Sequence, residues 1–171
     1  MTKPHDPTLV NESRRFRTLL LGLVLLTFAV HFASNSGGAF LFDDGPNILE
    51  NPAVTGFDPG SARGWFAAAF ESPARLRPIP YLSFALQWWA HGQSPGAFHF
   101  LSDALHALAA LALALLLFEL LATPSAQPVT TRDRALLATG AAALWALHPI
   151  QTQAVTYIVQ RMTVLCGLFS L

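Results

Sequence analysis

The chain has 171 residues, 53% hydrophobic and only 12% charged, about half the charged fraction of an average soluble domain. Ten basic and ten acidic residues cancel, so neither a net field nor a long basic stripe points to nucleic acid. A single cysteine, Cys166, excludes an internal disulfide and a CxxC metal site.

The charges are segregated. Residues 18–30 and 104–118 carry none, which argues for a membrane more strongly than average hydrophobicity does. The first apolar run, residues 18–33, is slightly short of the roughly 20 residues a span needs. It draws on Phe16 and on the weakly polar residues after Ala33. Arg14, Arg15 and Arg17 lie directly before it, and the basic flank assigns residues 1–17 to a cytoplasmic tail. A cleaved signal peptide is the rival reading. The length of the run, His31 within it and the lack of a small-x-small site favour an uncleaved span.

Residues 34–97 form the one large hydrophilic stretch, placed outside by this topology. It opens with a flexible Ser34-Asn35-Ser36-Gly37-Gly38, followed by Asp43-Asp44-Gly45-Pro46, which reads as a tight turn. Two short helices follow. One covers 61–70, capped by Ser61; the other covers 81–91, started after Pro80 and stopped by Gly92. Trp65, Phe66, Trp88 and Trp89 suit a headgroup layer, so both helices are expected to lie flat on the membrane. Packing into an ordinary loop domain is the alternative.

The second apolar run is 98–122, with a Leu/Ala core. A cytoplasmic loop, 123–134, leads to a third run at 135–147, and 148–161 is again external. The fourth run, 162–171, begins at Met162 and ends within the chain; roughly ten residues cannot cross a bilayer. Arginine placement supports this direction: Arg132 and Arg134 fall inside with the tail and Lys3, whereas Arg63, Arg75, Arg77 and Arg161 fall outside. The expected class is all-α, a polytopic helical membrane protein.

Three constellations carry chemistry. Asp43 and Asp44 sit where a polar head group would lie. One could take a proton from an attacking hydroxyl and the other could orient it or hold a divalent cation through oxygen ligands; turn chemistry alone also explains the pair. The segment 148–161, HPIQTQAVTYIVQR, lies on the same side, and Arg161 could fork two hydrogen bonds to a phosphate or serve as a snorkelling anchor. His99, Asp103 and His106 share one helix face. Hydrogen bonding between helices explains them better than a metal does. Glu50, Arg75, Arg77 and His91 are further loop candidates. No glycine-rich phosphate loop, GxSxG or nucleophile triad is present.

The order of three motifs, AFLFDDGPNILENPAV, then RPIPYLSFALQWWAHGQSPGAFHFLSDALHALAALALALLLFEL, then AALWALHPIQTQAVTYIVQRMTVLCGLFSL, resembles the N-terminal part of the TMTC-type proteins. These are transmembrane and tetratricopeptide-repeat O-mannosyltransferase-like proteins with bacterial relatives. The resemblance covers residues 16–171. It implies a GT-C glycosyltransferase fold, a polyprenyl-phosphate sugar donor with mannose as the sugar, and Ser/Thr hydroxyls of proteins as acceptors. It implies a catalytic role for Asp43 and Asp44, with Arg161, Arg77, His148 and Gln153 binding substrate or phosphate. No protein-bound metal is implied, and a divalent cation remains an option at the acidic pair. The implied location is a bacterial inner membrane, with the N-terminus cytoplasmic and the active side periplasmic. The resemblance has one departure: no repeat of about 34 residues follows, so the chain reads as an N-terminal fragment. A non-enzymatic anchor of a repeat protein, or an inactive remnant, is the competing class.

Overall fold

The computed structural model describes residues 7–74, 76–123 and 129–171, with side chains from residue 11 onward. Lys3 and Arg75 lie outside the described residues. Every secondary-structure element among the described residues is helical. In chain order these are α1 (Pro7–Asn35), a short π-helix (Gly45–Leu49), α2 (Pro52–Thr55), α3 (Ala62–Phe70), α4 (Pro78–His91), α5 (Pro95–Leu120), α6 (Thr131–Ala146), α7 (Thr152–Thr156) and α8 (Arg161–Ser170). Turns of 3₁₀-helix at Pro149–Gln151 and Ile158–Gln160 flank α7. Among the described residues, 11–35 and α5 are the two segments long and apolar enough to cross a membrane.

Local chemistry sets many of the boundaries. Proline occupies the first turn of α2, α4 and α5, where its missing N–H removes no helical bond. Ser61 Oγ accepts the Gly64 N–H at the start of α3, and Thr130 Oγ1 accepts the Asp133 N–H at the start of α6, each satisfying an otherwise orphaned donor. Gly92 ends α4 at φ 57°, donating to the Trp88 carbonyl over 2.8 Å; glycine takes this left-handed conformation without a Cβ penalty.

Helices α1, α5 and α6 form a three-helix bundle. Small side chains hold it together. Ala110 and Ala114 of α5 and Ala142 and Ala146 of α6 recur at four-residue spacing and close on Leu23 of α1. Alanine at these positions lets backbones approach, which favours dispersion contacts where no water has to be displaced. At the arginine-rich end, Phe16 stacks on Phe118 with centroids 4.2 Å apart. Arg134 lies over the same Phe118 ring at 4.2 Å and donates to the Phe118 carbonyl at 2.7 Å. These contacts fix the spacing of all three helix ends.

A second core sits beyond the opposite end. Ile48 and Val54 from the long loop, Tyr81 and Phe84 from α4, Phe98 from α5, and Ile158, Val159 and Met162 from the last segment bury against one another. Within the loop, α3 and α4 pack together through Ala68 and Ala85, with Phe57 beside them. Tyr81 reaches out of this core to Asn47 through its hydroxyl, which also accepts the Ala74 N–H.

Arg161 ties the second core to α5. It has no exposed surface. Its Nε donates to Ser102 Oγ at 3.2 Å, one terminal nitrogen to Ser83 Oγ at 3.2 Å, and the other to the Phe98 carbonyl at 2.8 Å. The guanidinium lies over the Phe84 ring at 4.8 Å and near the Phe98 ring at 5.6 Å, a cation–π arrangement that gains from desolvation. Arg161→Ala removes the donors to Ser102, Ser83 and the Phe98 carbonyl and opens a cavity, so it should cost on the order of 3 kcal/mol. Arg161→Lys should be only a partial rescue, because one ammonium cannot reproduce the fork of donors. Thermal unfolding of the purified protein in detergent checks both; unchanged midpoints would show that Arg161 is not the tie.

Candidate functional site

The two carboxylates of the acidic pair face opposite ways. Asp44 is fully buried. Its Oδ2 accepts the Leu41 N–H at 2.9 Å and its Oδ1 accepts the Val159 N–H at 2.7 Å. The first bond closes the turn locally, where Asp44 N–H in turn donates to the Leu41 carbonyl at 2.9 Å. The second crosses 115 positions of sequence and clamps the acidic loop to the segment before α8. Burial pushes the Asp44 carboxyl above its usual 3.8 and Asp43 adds to that push, while the two amides and His99 pull it down. The net direction is upward, the mark of a carboxylate whose desolvation outweighs its hydrogen bonds.

The backbone turns sharply at Phe42, which holds φ 43°, a region that non-glycine residues seldom occupy. This turn carries Asp43 outward while Asp44 points in. The pair therefore does not end in a simple turn: the Phe42 carbonyl accepts the Gly45 N–H, and the chain then continues as the π-helix, closed by Glu50 N–H donating to the Gly45 carbonyl. Such π-turns recur at functional sites.

Exposed Asp43 opens into a cleft of about 210 Å³ lined also by Phe42, Gln153, Tyr157, Val159 and Gln160. Two sequence candidates, Asp43 and Gln153, thus meet here although 110 positions separate them. Tyr157 and Gln160 belong to the same cleft, and sequence reasoning did not single them out. Their signal lay within HPIQTQAVTYIVQR, where a tyrosine and a glutamine amid apolar residues differ little from boundary polar residues until α7 and the turn after it give them a direction. Phe42 is 81% exposed and faces the Tyr157 ring at 6.1 Å, forming one wall.

The other candidates lie elsewhere. Arg77 is exposed on a separate groove of about 430 Å³, with Leu76, Ile79, Leu165 and Phe169 supplying apolar walls and Met162 beneath. Its guanidinium approaches the Met162 sulfur at 3.1 Å. Gln160 lines the Asp43 cleft and Met162 lines the Arg77 groove, so two residues of backbone connect these sites. Arg161, between them in sequence, points into the protein and directs its donors to Ser102, Ser83 and Phe98. His148 is exposed and caps the following 3₁₀ turn, its Nδ1 accepting the Ile150 N–H at 3.2 Å. Glu50 and His91 are exposed and line neither cleft.

His99, Asp103 and His106 do share one face of α5, and all are buried. Asp103 and His106 bond to neighbouring helices. Asn35 Nδ2 donates to Asp103 Oδ1 at 2.7 Å. His31 and His106 each approach the Ala146 carbonyl through Nε2 at 3.0 Å, and since a carbonyl only accepts, both Nε2 atoms carry the proton. A Cβ on Gly38 would come within 2.5 Å of His99 Nε2, so only glycine fits where the loop leaves α1. Among the described residues no three His, Cys, Asp or Glu side chains converge on a point that could hold a metal. Both Asp44 oxygens already accept backbone amides, which leaves Asp43 as the acid of the pair that faces the cleft.

Asp44→Asn should destabilise the fold by roughly 1–3 kcal/mol, because an amide can accept from one of the two N–H groups but presents hydrogens to the other. Asp43→Asn should leave stability within about 0.5 kcal/mol, as for other exposed changes. Since the folded Asp44 pKa lies above 3.8, the folded chain binds the proton more tightly than the unfolded one. Its contribution to stability therefore falls as pH rises from 3.8 through the folded value, and Asp44→Asn should flatten that slope. Melting curves of both variants across acidic pH measure this.

In sequence the chain is similar to a protein O-mannosyl-transferase of Caenorhabditis elegans, with 30% identity over 97% of this chain and 24% of that protein. It is 34% identical to the protein O-mannosyl-transferase Tmtc1 of Drosophila melanogaster, over 83% of this chain and 16% of the relative. It is 30% identical to the mouse protein O-mannosyl-transferase TMTC4, over 90% of this chain and 22% of the relative. The chain spans about a quarter or less of the length of these curated relatives. No protein-family model and no solved structure matches it. Over most of its length, then, this chain is related to the TMTC-type proteins that bear the name protein O-mannosyl-transferase.

Proposed function

We propose that this chain forms part of a membrane glycosyltransferase of the GT-C type. It would move a sugar, mannose, from a polyprenyl phosphate to a Ser or Thr hydroxyl of a protein. The observation that carries the reading is Asp43: exposed, its carboxylate without a hydrogen bond among the described residues, and facing a cleft with Gln153, in a chain related to protein O-mannosyl-transferases.

Membrane placement supports the reading. Leu21, Leu25, Leu26 and Val30 of α1, Leu108 and Leu115 of α5, and Leu136, Leu137 and Leu144 of α6 are exposed around the bundle. A helix apolar on its outer as well as its inner face suits lipid. In the proposed topology the arginine-rich end is cytoplasmic and Asp43 opens on the far, periplasmic side of a bacterial inner membrane.

In the proposed reaction the Asp43 carboxylate takes the proton of the acceptor hydroxyl. The oxygen forms a bond to the anomeric carbon as the bond from that carbon to the phosphate oxygen breaks. The lipid phosphate leaves with the electron pair, and a single displacement inverts the anomeric centre. Gln153 and Tyr157 are placed to orient the acceptor. Arg77, at the rim of an apolar groove, suits a phosphate whose prenyl chain lies along α8. Arg161, which the resemblance puts at the phosphate, enters the proposal as a positioning residue that holds the segment carrying Tyr157 and Gln160. No step runs through a cation.

Transfer assayed with polyprenyl-phosphate mannose and an acceptor protein, in membranes holding the protein as the cell makes it, tests this. Asp43→Asn should lower kcat by about 10² to 10⁴ with melting unchanged, and Arg77→Gln should mainly raise KM for the donor. Wild-type transfer by Asp43→Asn would remove the proposal.

A further inference from the structure

At the end of the bundle remote from Asp43, α1 and α6 part to leave a cleft of about 540 Å³, within the range of small-ligand sites. Arg14 and Arg15 line it from α1 and Arg132 lines it from the first turn of α6. All three are exposed, and no ion pair is formed by any of them among the described residues. Among the described residues Glu12 is the one acid in the lining, so there three positive charges face one negative. Towards the bundle the lining turns apolar, with Leu19 and Leu136.

This order of chemistry follows the boundary in the sequence. The arginines end where the charge-free stretch of residues 18–30 begins. A ligand filling the cleft therefore meets guanidinium at its mouth and hydrocarbon at its floor. The cleft is also built rather than incidental. The Phe16–Phe118 stack and the Arg134 clamp on Phe118 hold the neighbouring helix ends at fixed spacing. They occupy Arg134 with Phe118, leaving Arg14, Arg15 and Arg132 available. Arg17 belongs to the same basic tract yet does not line the cleft.

We infer that this cleft binds the phosphate of an anionic phospholipid, with an acyl chain leaving along Leu19 and Leu136. The inference rests on the membrane placement proposed above and adds a site on the opposite side of the bundle from the acidic pair. Planar guanidinium groups take phosphodiester oxygens in pairs. A basic residue near an anionic bilayer surface contributes about 1 kcal/mol, which is about fivefold in binding. A general basic flank would draw on Arg17 as much as on the others; a site draws on the cleft residues alone.

The test uses the full chain reconstituted in phosphatidylcholine nanodiscs containing a minor fraction of phosphatidylglycerol, with retained lipids counted by native mass spectrometry. Wild type should retain phosphatidylglycerol in preference to phosphatidylcholine. Arg14→Gln, Arg15→Gln and Arg132→Gln should each reduce that preference about fivefold, while Arg17→Gln keeps it. Melting in pure phosphatidylcholine confirms that each variant folds. Equal loss from Arg17→Gln, or no preference in wild type, would overturn the site in favour of a diffuse field. Displacement of the lipid by inorganic phosphate would overturn the lipid assignment in favour of a free anion. Alkaline carbonate extraction separates this from the membrane reading: release of the chain removes both, whereas retention without lipid preference removes the lipid site alone.

Discussion

The hydrogen bond from the Val159 amide to Asp44 joins parts of the chain that sequence keeps far apart, and the geometry of the site follows from it. A buried carboxylate needs donors to offset its desolvation, and here both are backbone amides, one local and one distant. Meeting that need brings residues 41–44 against residues 157–160. Arg161, next to the distant amide, is then drawn into the protein, where Ser102, Ser83, Phe98 and two aromatic rings satisfy it. A buried charge of each sign, each satisfied mostly by neutral dipoles, pins the same short segment from two directions.

This arrangement divides the work between adjacent acids. Asp44 positions and Asp43 is presented. The alternation comes from the turn at Phe42, whose left-handed φ reverses the direction of the chain within two residues. The proton transfer proposed for Asp43 needs a carboxylate held still in reach of a ligand, and the clamp on Asp44 supplies that rigidity one residue away. The same clamp places Tyr157 and Gln160 at the cleft that Asp43 faces.

The bundle carries different chemistry at its two ends. Alanines at helical spacing let α1, α5 and α6 close tightly along their length. One end finishes in the Phe16, Phe118 and Arg134 cluster beside a basic cleft. Near the other, His31 and His106 share the Ala146 carbonyl and Asn35 bonds Asp103. These bonds join α1, α5 and α6, which explains why His106 and Asp103 of α5 serve packing.

The sequence alone determined the features governed by neighbours along the chain. Charge-free runs, the cap at Ser61 and the stop at Gly92 depend on residues within a few positions, so helical character and some helix limits were legible. The acidic pair was legible as a site of interest for the same reason, and its resemblance to TMTC-type motifs pointed to the relatives it matches. Which acid faces outward was not legible, because one φ angle and an amide 115 positions away decide it. The burial of Arg161, the meeting of Asp43 with Gln153 and Tyr157, and the basic cleft between α1 and α6 were likewise decided by tertiary structure. Each depends on satisfying buried charge or spacing helix ends through contacts between distant segments, and local periodicity carries no record of such contacts.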